Sequence, residues 1–289
     1  MRQLSCPDFS PELCAEQNVP DHVRTQNFGS LRLQLGATIG IGKGFSVGFA
    51  LPLSLKHFSL RHELTDGTPY TTPYSLLTSN DTLFGFGDAR LMAQVAGAIE
   101  GTPLILSAGV GVMLPTGRVS TNPFTEVVAT QRQFRQFGNG TFDPTVELAL
   151  VIGTKPVGVM VSGSTRIPLY TNPKGYRGQF QLTGSAGIVV STPRPVDTVR
   201  LLLLLEASHA GAARWDGVVA VNSGRDMLGA RLGFEWSIKP RLVLRGSLLV
   251  APIQVWKGEQ FSLPWTAGLG VSGVFHLRKK KKNGPAHGH

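Results

Sequence analysis

The chain has 289 residues, 35 of them glycine, and a formal net charge of +10. Only 16% of its residues are charged, a thin complement for a water-facing surface. No apolar stretch approaches the roughly 18 residues of a membrane-spanning helix, and the glycines keep no collagen period, so both of those classes are excluded.

The region before residue 29 shows no alternation. It holds the chain's two cysteines, Cys6 and Cys14, whose close spacing permits a small disulfide loop in an exported protein. Two unpaired thiols in a flexible leader are the other reading. No signal peptide is visible, because Arg2 to Leu4 run into Ser5, Cys6, Pro7 and Asp8 without an apolar segment.

Alternation starts at Leu31. Leu31, Leu33, Leu35, Ala37, Ile39 and Ile41 take one face, and Arg32, Gln34, Gly36, Thr38 and Gly40 the other. A period of two means strand, since successive side chains point to opposite faces. After the turn at Gly42-Lys43-Gly44, Phe45 to Lys56 repeat the pattern. The next strands run from Asp88 to Ile99, Leu104 to Leu114, Thr145 to Gly153 and Val157 to Ile167. The second half continues with 180–190, 199–208, 228–237, 242–250 and 265–277. Each is long for a globular sheet, and crossing hydrocarbon takes about 9 to 11 residues. Val199 to Leu205 are apolar on both faces. Their neighbours favour a strand whose inner residues pack against each other.

Eleven strands are therefore visible. Short turns at 42–44, 101–103, 154–156, 192–197 and 239–241 alternate with longer loops at about 61–80, 118–137, 171–178 and 209–226. Short turns belong at the periplasmic end of a bacterial barrel and long loops outside. The first visible strand then runs inward, and the last ends in the periplasm. An odd count conflicts with the even number usual in bacterial barrels. The expectation is an all-β, antiparallel transmembrane β-barrel of twelve strands, with the twelfth upstream of Met1 or poorly formed by residues 1–20. The domain plan is a leader or external loop over 1–28, the barrel over 29–277 and a basic periplasmic tail over 278–289.

Apolar faces should meet outer-membrane lipid and polar faces should line the lumen. The lumen candidates are Arg32, Gln34, Asp88, Arg90, Gln94 and Glu147, then Arg166, Glu206, Arg231, Glu235, Arg245 and His276. Phe84, Phe86, Tyr170, Tyr176, Trp236, Trp256 and Trp265 sit near strand ends, where rings with a polar edge favour the interface; ordinary packing is the equal alternative for each.

Several short landmarks carry a resemblance. They are Leu31 to Pro52, Gly85-Phe86-Gly87-Asp88, Leu114-Pro115-Thr116-Gly117, and Gly138-Asn139-Gly140 leading into the strand at 145–153. In this order the chain resembles the outer-membrane family associated with phenol and aromatic degradation, the MetA-pathway or transporter-like family. The resemblance implies a barrel that passes small, often hydrophobic compounds, and it maps no binding residue onto this sequence. Two departures stand out: the family's strand and signal before residue 29 are not evident, and a lysine-rich tail follows the last strand.

From the residues, Arg32, Arg90, Arg166, Arg231 and Arg245 would attract anions, with Glu147, Glu206 and Glu235 trimming the field. The leading expectation is a channel or transporter for small hydrophobic or anionic molecules. The alternative is a non-transporting structural or adhesion barrel that works through its external loops, with Tyr70, Tyr74, Phe124, Phe134, Phe137, Arg132 and Arg135 as contacts. No enzyme is expected. His57, His62, Ser59, Asp66 and Ser75 offer triad residue types without a nucleophile motif, and His209 with Asp216 is no better. No cofactor, metal site or nucleic-acid partner is expected either: Gly40 to Gly44 lack phosphate-loop spacing, and the run Lys279 to Lys282 stands alone.

Overall fold

The computed structural model describes residues 2–4, 22–64, 66–69, 79–119, 136–153, 156–192, 199–220, 223–239, 241–256 and 265–276. Cys6, Cys14 and the basic tail lie outside them. The alternating segments form strands throughout. In chain order these are β1 (Arg2–Leu4), β2 (His22–Gly42), β3 (Phe45–Leu64), β4 (Ser79–Phe86), β5 (Ala89–Ala98), β6 (Leu104–Leu114), β7 (Asp143–Ile152) and β8 (Val157–Arg166). There follow β9 (Tyr176–Arg177), β10 (Gln181–Ser191), β11 (Val199–Ala210), β12 (Arg214–Trp215), β13 (Val218–Val219), β14 (Arg225–Lys239), β15 (Leu242–Trp256) and β16 (Trp265–His276).

Each barrel strand pairs antiparallel with the next, from β2 through to β16. The ring then closes by a parallel ladder between β16 and β2, from Ala267 opposite Leu31 to His276 opposite Gly40. This corrects the twelve-strand expectation. With β4 and β5 counted as one interrupted strand, eleven strands close the barrel. An odd number of antiparallel reversals leaves the first and last strands pointing the same way, and a parallel ladder pairs their amides as an extra strand would have done. β1 adds only a short antiparallel pairing to β2, at Arg2 opposite Thr25 through Leu4 opposite Val23. β2 and β3 are the longest strands at 21 and 20 residues, and β2 begins at His22.

The faces sort by chemistry. Leu201, Leu203 and Leu205 are 54%, 54% and 66% exposed on the outer wall, while Leu204 is buried on the inner side of the same strand. The doubly apolar run is thus a strand with leucines on both sides. Phe84, Phe86, Tyr170, Trp236 and Trp265 are exposed on the outside. Tyr176 is not among them. It is buried against Trp215, ring centroids 4.7 Å apart, where β9, β12 and β13 form a small separate sheet linking two loops. Ala213 and Ala220 complete its core.

The break between β4 and β5 has a local cause. β4 pairs with Leu53–Leu60 of β3, and β5 with Phe45–Ala50. Pro52 stands between the two stretches and has no amide hydrogen to give the ladder. Its carbonyl takes the Gly87 amide at 2.8 Å, the ladder lapses at Gly87-Asp88, and Asp88 turns inward, 3% exposed.

Candidate functional site: the barrel lumen

The inward lines of most strands deliver charged residues to the lumen, with β6, β10 and β16 contributing no Asp, Glu, Lys or Arg, and most of these charges meet in pairs. Arg90 of β5 binds Glu147 of β7. Arg231 of β14 forks onto Glu206 of β11, Nε to Oε2 at 2.5 Å and Nη2 to Oε1 at 2.8 Å. Arg245 of β15 donates from Nε to Glu235 at 2.9 Å, and Arg200 reaches the same carboxylate at 3.5 Å. The two-pronged Arg231–Glu206 pair fixes both side chains as well as cancelling their charge.

The densest group lies at the mouth that carries the long loops. Arg166, at the end of β8, donates Nη2 to Asp88 at 2.9 Å. It also gives Asp143 two contacts, Nε at 2.8 Å and Nη2 at 2.6 Å. The carboxylates fill their remaining positions from the loops. Asp88 accepts the amides of Gly117 (3.2 Å) and Asn139 (2.8 Å). Asp143 accepts the Thr141 hydroxyl (2.6 Å) and the Asn139 side-chain amide (2.9 Å). Asn172 then donates to the Asn139 carbonyl at 2.8 Å, bringing in the loop after β8.

This clasp needs backbone to approach closely. A Cβ on Gly138 would stand 2.8 Å from the Gly117 Cα and would collide with the Asp88 carboxylate. Glycine is therefore required there for space. The landmarks Gly87-Asp88, Pro115-Thr116-Gly117 and Gly138-Asn139-Gly140, scattered through the sequence, converge on this one cluster. Residues 136–138 fold onto the lumen wall beside it: the Gln136 carbonyl accepts a hydrogen bond from Lys56 Nζ at 2.7 Å, which also lies over the Phe137 ring at 4.8 Å.

Two cavities of about 610 and 630 Å³ occupy the lumen. One reaches toward the short turns and is lined by Gln94, Glu235 and Arg245 among others. The other lies under the clasp, against Asp88 and Arg166. They share Arg32, Gln34, Ala50, Arg90, Glu147 and Arg231, so they adjoin at that belt. Glu206 stands behind Arg231 as its partner, 8% exposed. His276 ends β16 opposite Gly40; its side chain lies outside the described residues.

Among the described residues, which leave out Ser75 and the His62 side chain, the residue types of a triad are not brought together. His57 points outward and bonds the Thr82 hydroxyl at 3.0 Å, and Asp66 caps its own turn through Thr68. His209 pairs with Asp226 at 2.6 Å rather than with Asp216, and both side chains are exposed. Ser75 lies outside the described residues. Among the described residues no group of three or more His, Cys, Asp and Glu could hold a metal ion. Of the loop contacts, Phe137 folds inward, and Tyr70, Tyr74, Phe124, Arg132, Phe134 and Arg135 lie outside the described residues.

No family model matches the chain, and no curated protein does. Among solved structures it is similar to the COG4313 outer membrane channel from Pseudomonas putida F1. The TM-score is 0.51 at 16% identity, covering 81% of this chain and 79% of that one. The likeness shows the fold: the chain is a closed β-barrel with an apolar outer wall. Two structures of OmpT, an outer membrane protein of Vibrio cholerae, also align, one of them a trimer form. Their TM-scores are 0.34 and 0.31 at 14% and 12% identity, over 80% and 81% of this chain and 87% and 89% of theirs. Of these three, the first alone is close enough to speak for the fold; the exposed leucines, valines and phenylalanines of this chain form the apolar outer wall that a membrane β-barrel turns to lipid.

Asp143 was not among the residues singled out by sequence. It shares the inward parity of Thr145 and Glu147, so extending that line by one repeat would have reached it.

Proposed function

We propose that the barrel is a passive channel for small molecules, hydrophobic or anionic in character. The observation that carries this reading is the pair of adjoining lumen cavities, each the size of a small-ligand pocket. An eleven-strand ring falls between small barrels whose side chains fill the interior and large porins with a wide aqueous bore. Selection by a narrow, lined path suits that width. The resemblance to the family linked to aromatic degradation supports small, often hydrophobic solutes, and the likeness to a channel from Pseudomonas putida F1 supports passage over a purely structural role.

The arginines do not act as a single attracting set in this reading. Arg90, Arg166, Arg231 and Arg245 are each held by acids. Their pairs brace the wall, and the cavities between them form the path.

Purified protein in a planar bilayer tests the proposal. Stepwise conductance, with swelling of loaded liposomes in small neutral or anionic solutes, is the expected result. Protein that inserts repeatedly and neither conducts nor admits any solute would overturn it.

A further inference from the structure

The charge pairs of the lumen leave a remainder. Arg32 on β2 faces the belt common to both cavities and is exposed there. Among the described residues its side chain has no acidic partner and no hydrogen bond, whereas Arg90, Arg166, Arg231 and Arg245 each have an acid. The residues opposite Arg32 on its neighbouring strands are Ser54 and Gly268, neither of them an acid. A guanidinium that could have been cancelled like the rest is instead presented to the path.

Its surroundings are two-sided. Gln34, two residues along the same inward line, offers a neutral hydrogen-bonding group. The cavity toward the short turns also takes in Met92, Leu202 and Leu204, of which Met92 and Leu204 are 6% exposed. A permeating solute that satisfies both sides needs one negative group and an apolar body. A dianion would gain one contact and leave its second charge unmatched against Glu147 and its neighbours.

We infer that the belt at Arg32 is a selectivity site for small organic monoanions, such as carboxylates or sulfonates, carrying an apolar body. Arg32 attracts and briefly holds the anionic group, and the Met92, Leu202 and Leu204 wall takes the apolar part. The inference rests on the channel reading above. A single unpaired charge suits such a filter, being strong enough to favour one sign and lone enough to release the solute.

Reversal potentials across bilayers holding the full chain test it, with potassium chloride first and then sodium methanesulfonate against sodium butanesulfonate. At low salt, where screening is weak, one unpaired charge at the belt gives roughly fivefold preference for anions over cations. The expected results are that Arg32→Gln abolishes this preference, Arg32→Lys retains it, and Lys43→Gln, which removes equal charge from the exposed turn between β2 and β3, leaves it unchanged. Butanesulfonate, though larger, permeates at least as well as methanesulfonate, and Leu202→Ser reverses that order. A conducting wild-type barrel without anion preference, or one that keeps it in Arg32→Gln, overturns the inference while the channel reading stands. Permeation that falls with solute size in the wild type removes the apolar half. A barrel that never conducts overturns the channel reading, and this inference with it.

Discussion

Removing Arg166 should destabilise the barrel more than any other single change to a lumen side chain. Asp88 and Asp143 are 3% and 0% exposed, and Arg166 is the cation that holds both. Arg166→Met keeps the length of the side chain and deletes three charge-assisted contacts. Two buried carboxylates then face each other without a counter-charge, though each keeps two loop donors. Breaking a buried pair by removing one partner costs about 3–5 kcal/mol, and the retained donors place this case near 3–4 kcal/mol. The measurement is urea unfolding in lipid vesicles, followed by tryptophan fluorescence. A companion variant, Asp88→Asn with Asp143→Asn and Arg166→Met, removes the charge along with its partner and should recover at least half of the loss. A loss under about 1 kcal/mol in the single variant, or a companion variant weaker than the single one, would refute the view that charge compensation holds the clasp together.

Three further outcomes follow from the wall and its seam. In a background of Cys6→Ser and Cys14→Ser, Leu33→Cys with Leu269→Cys should form a disulfide on oxidation, because paired strands lie about 4.8 Å apart, whereas an intervening strand would double that distance beyond the reach of the bond; mass spectrometry of the cross-linked peptide decides it. Leu203→Arg, on the lipid face of β11, should cost about 2–4 kcal/mol in the same vesicle unfolding assay if it lies near the bilayer midplane. Gly138→Ala forces a methyl between Asp88 and Gly117 and should cost about 1–3 kcal/mol in the vesicle unfolding assay, with unchanged stability counting against the close approach of the 117 and 138 backbones.

The strands were legible because one face of each must meet hydrocarbon, which imposes a period of two over enough residues to stand out. Leu31 to Ile41 and Leu228 to Trp236 needed nothing but their own neighbours. Closure was not legible in the same way. A parallel ladder between Leu31 and Ala267 has no turn joining it and so leaves no local mark, and counting strands pointed to a missing partner instead. The clasp was readable in parts. Asp88 and Arg166 were each recognisable as inward charges, yet they are 78 residues apart in sequence, and nothing near either one names the other. The glycine landmarks read as loop residues, and their second role, letting the 117 and 138 backbones touch, exists only once the loops are folded together. For Tyr176 the sequence left rim and ordinary packing equally open, since two-residue strands have too little pattern to reveal that its loop makes a sheet with Trp215.

The parallel seam makes the two ends of the barrel unequal in how they can form. Every other ladder is begun by a neighbouring strand and a connection that limits its slippage. β2 and β16 must find each other with more than two hundred residues between them, as a ribbon becomes a ring. Their register rests on side-chain sorting alone: one residue of slip would turn Leu269, Val271 and Phe275 into the lumen and leave Ser272 facing lipid. The seam is therefore the last ladder to be made and the one with the least to guide it. Until it closes, two unpaired strand edges are exposed together, and any agent able to pair with a bare edge could capture the barrel at that stage.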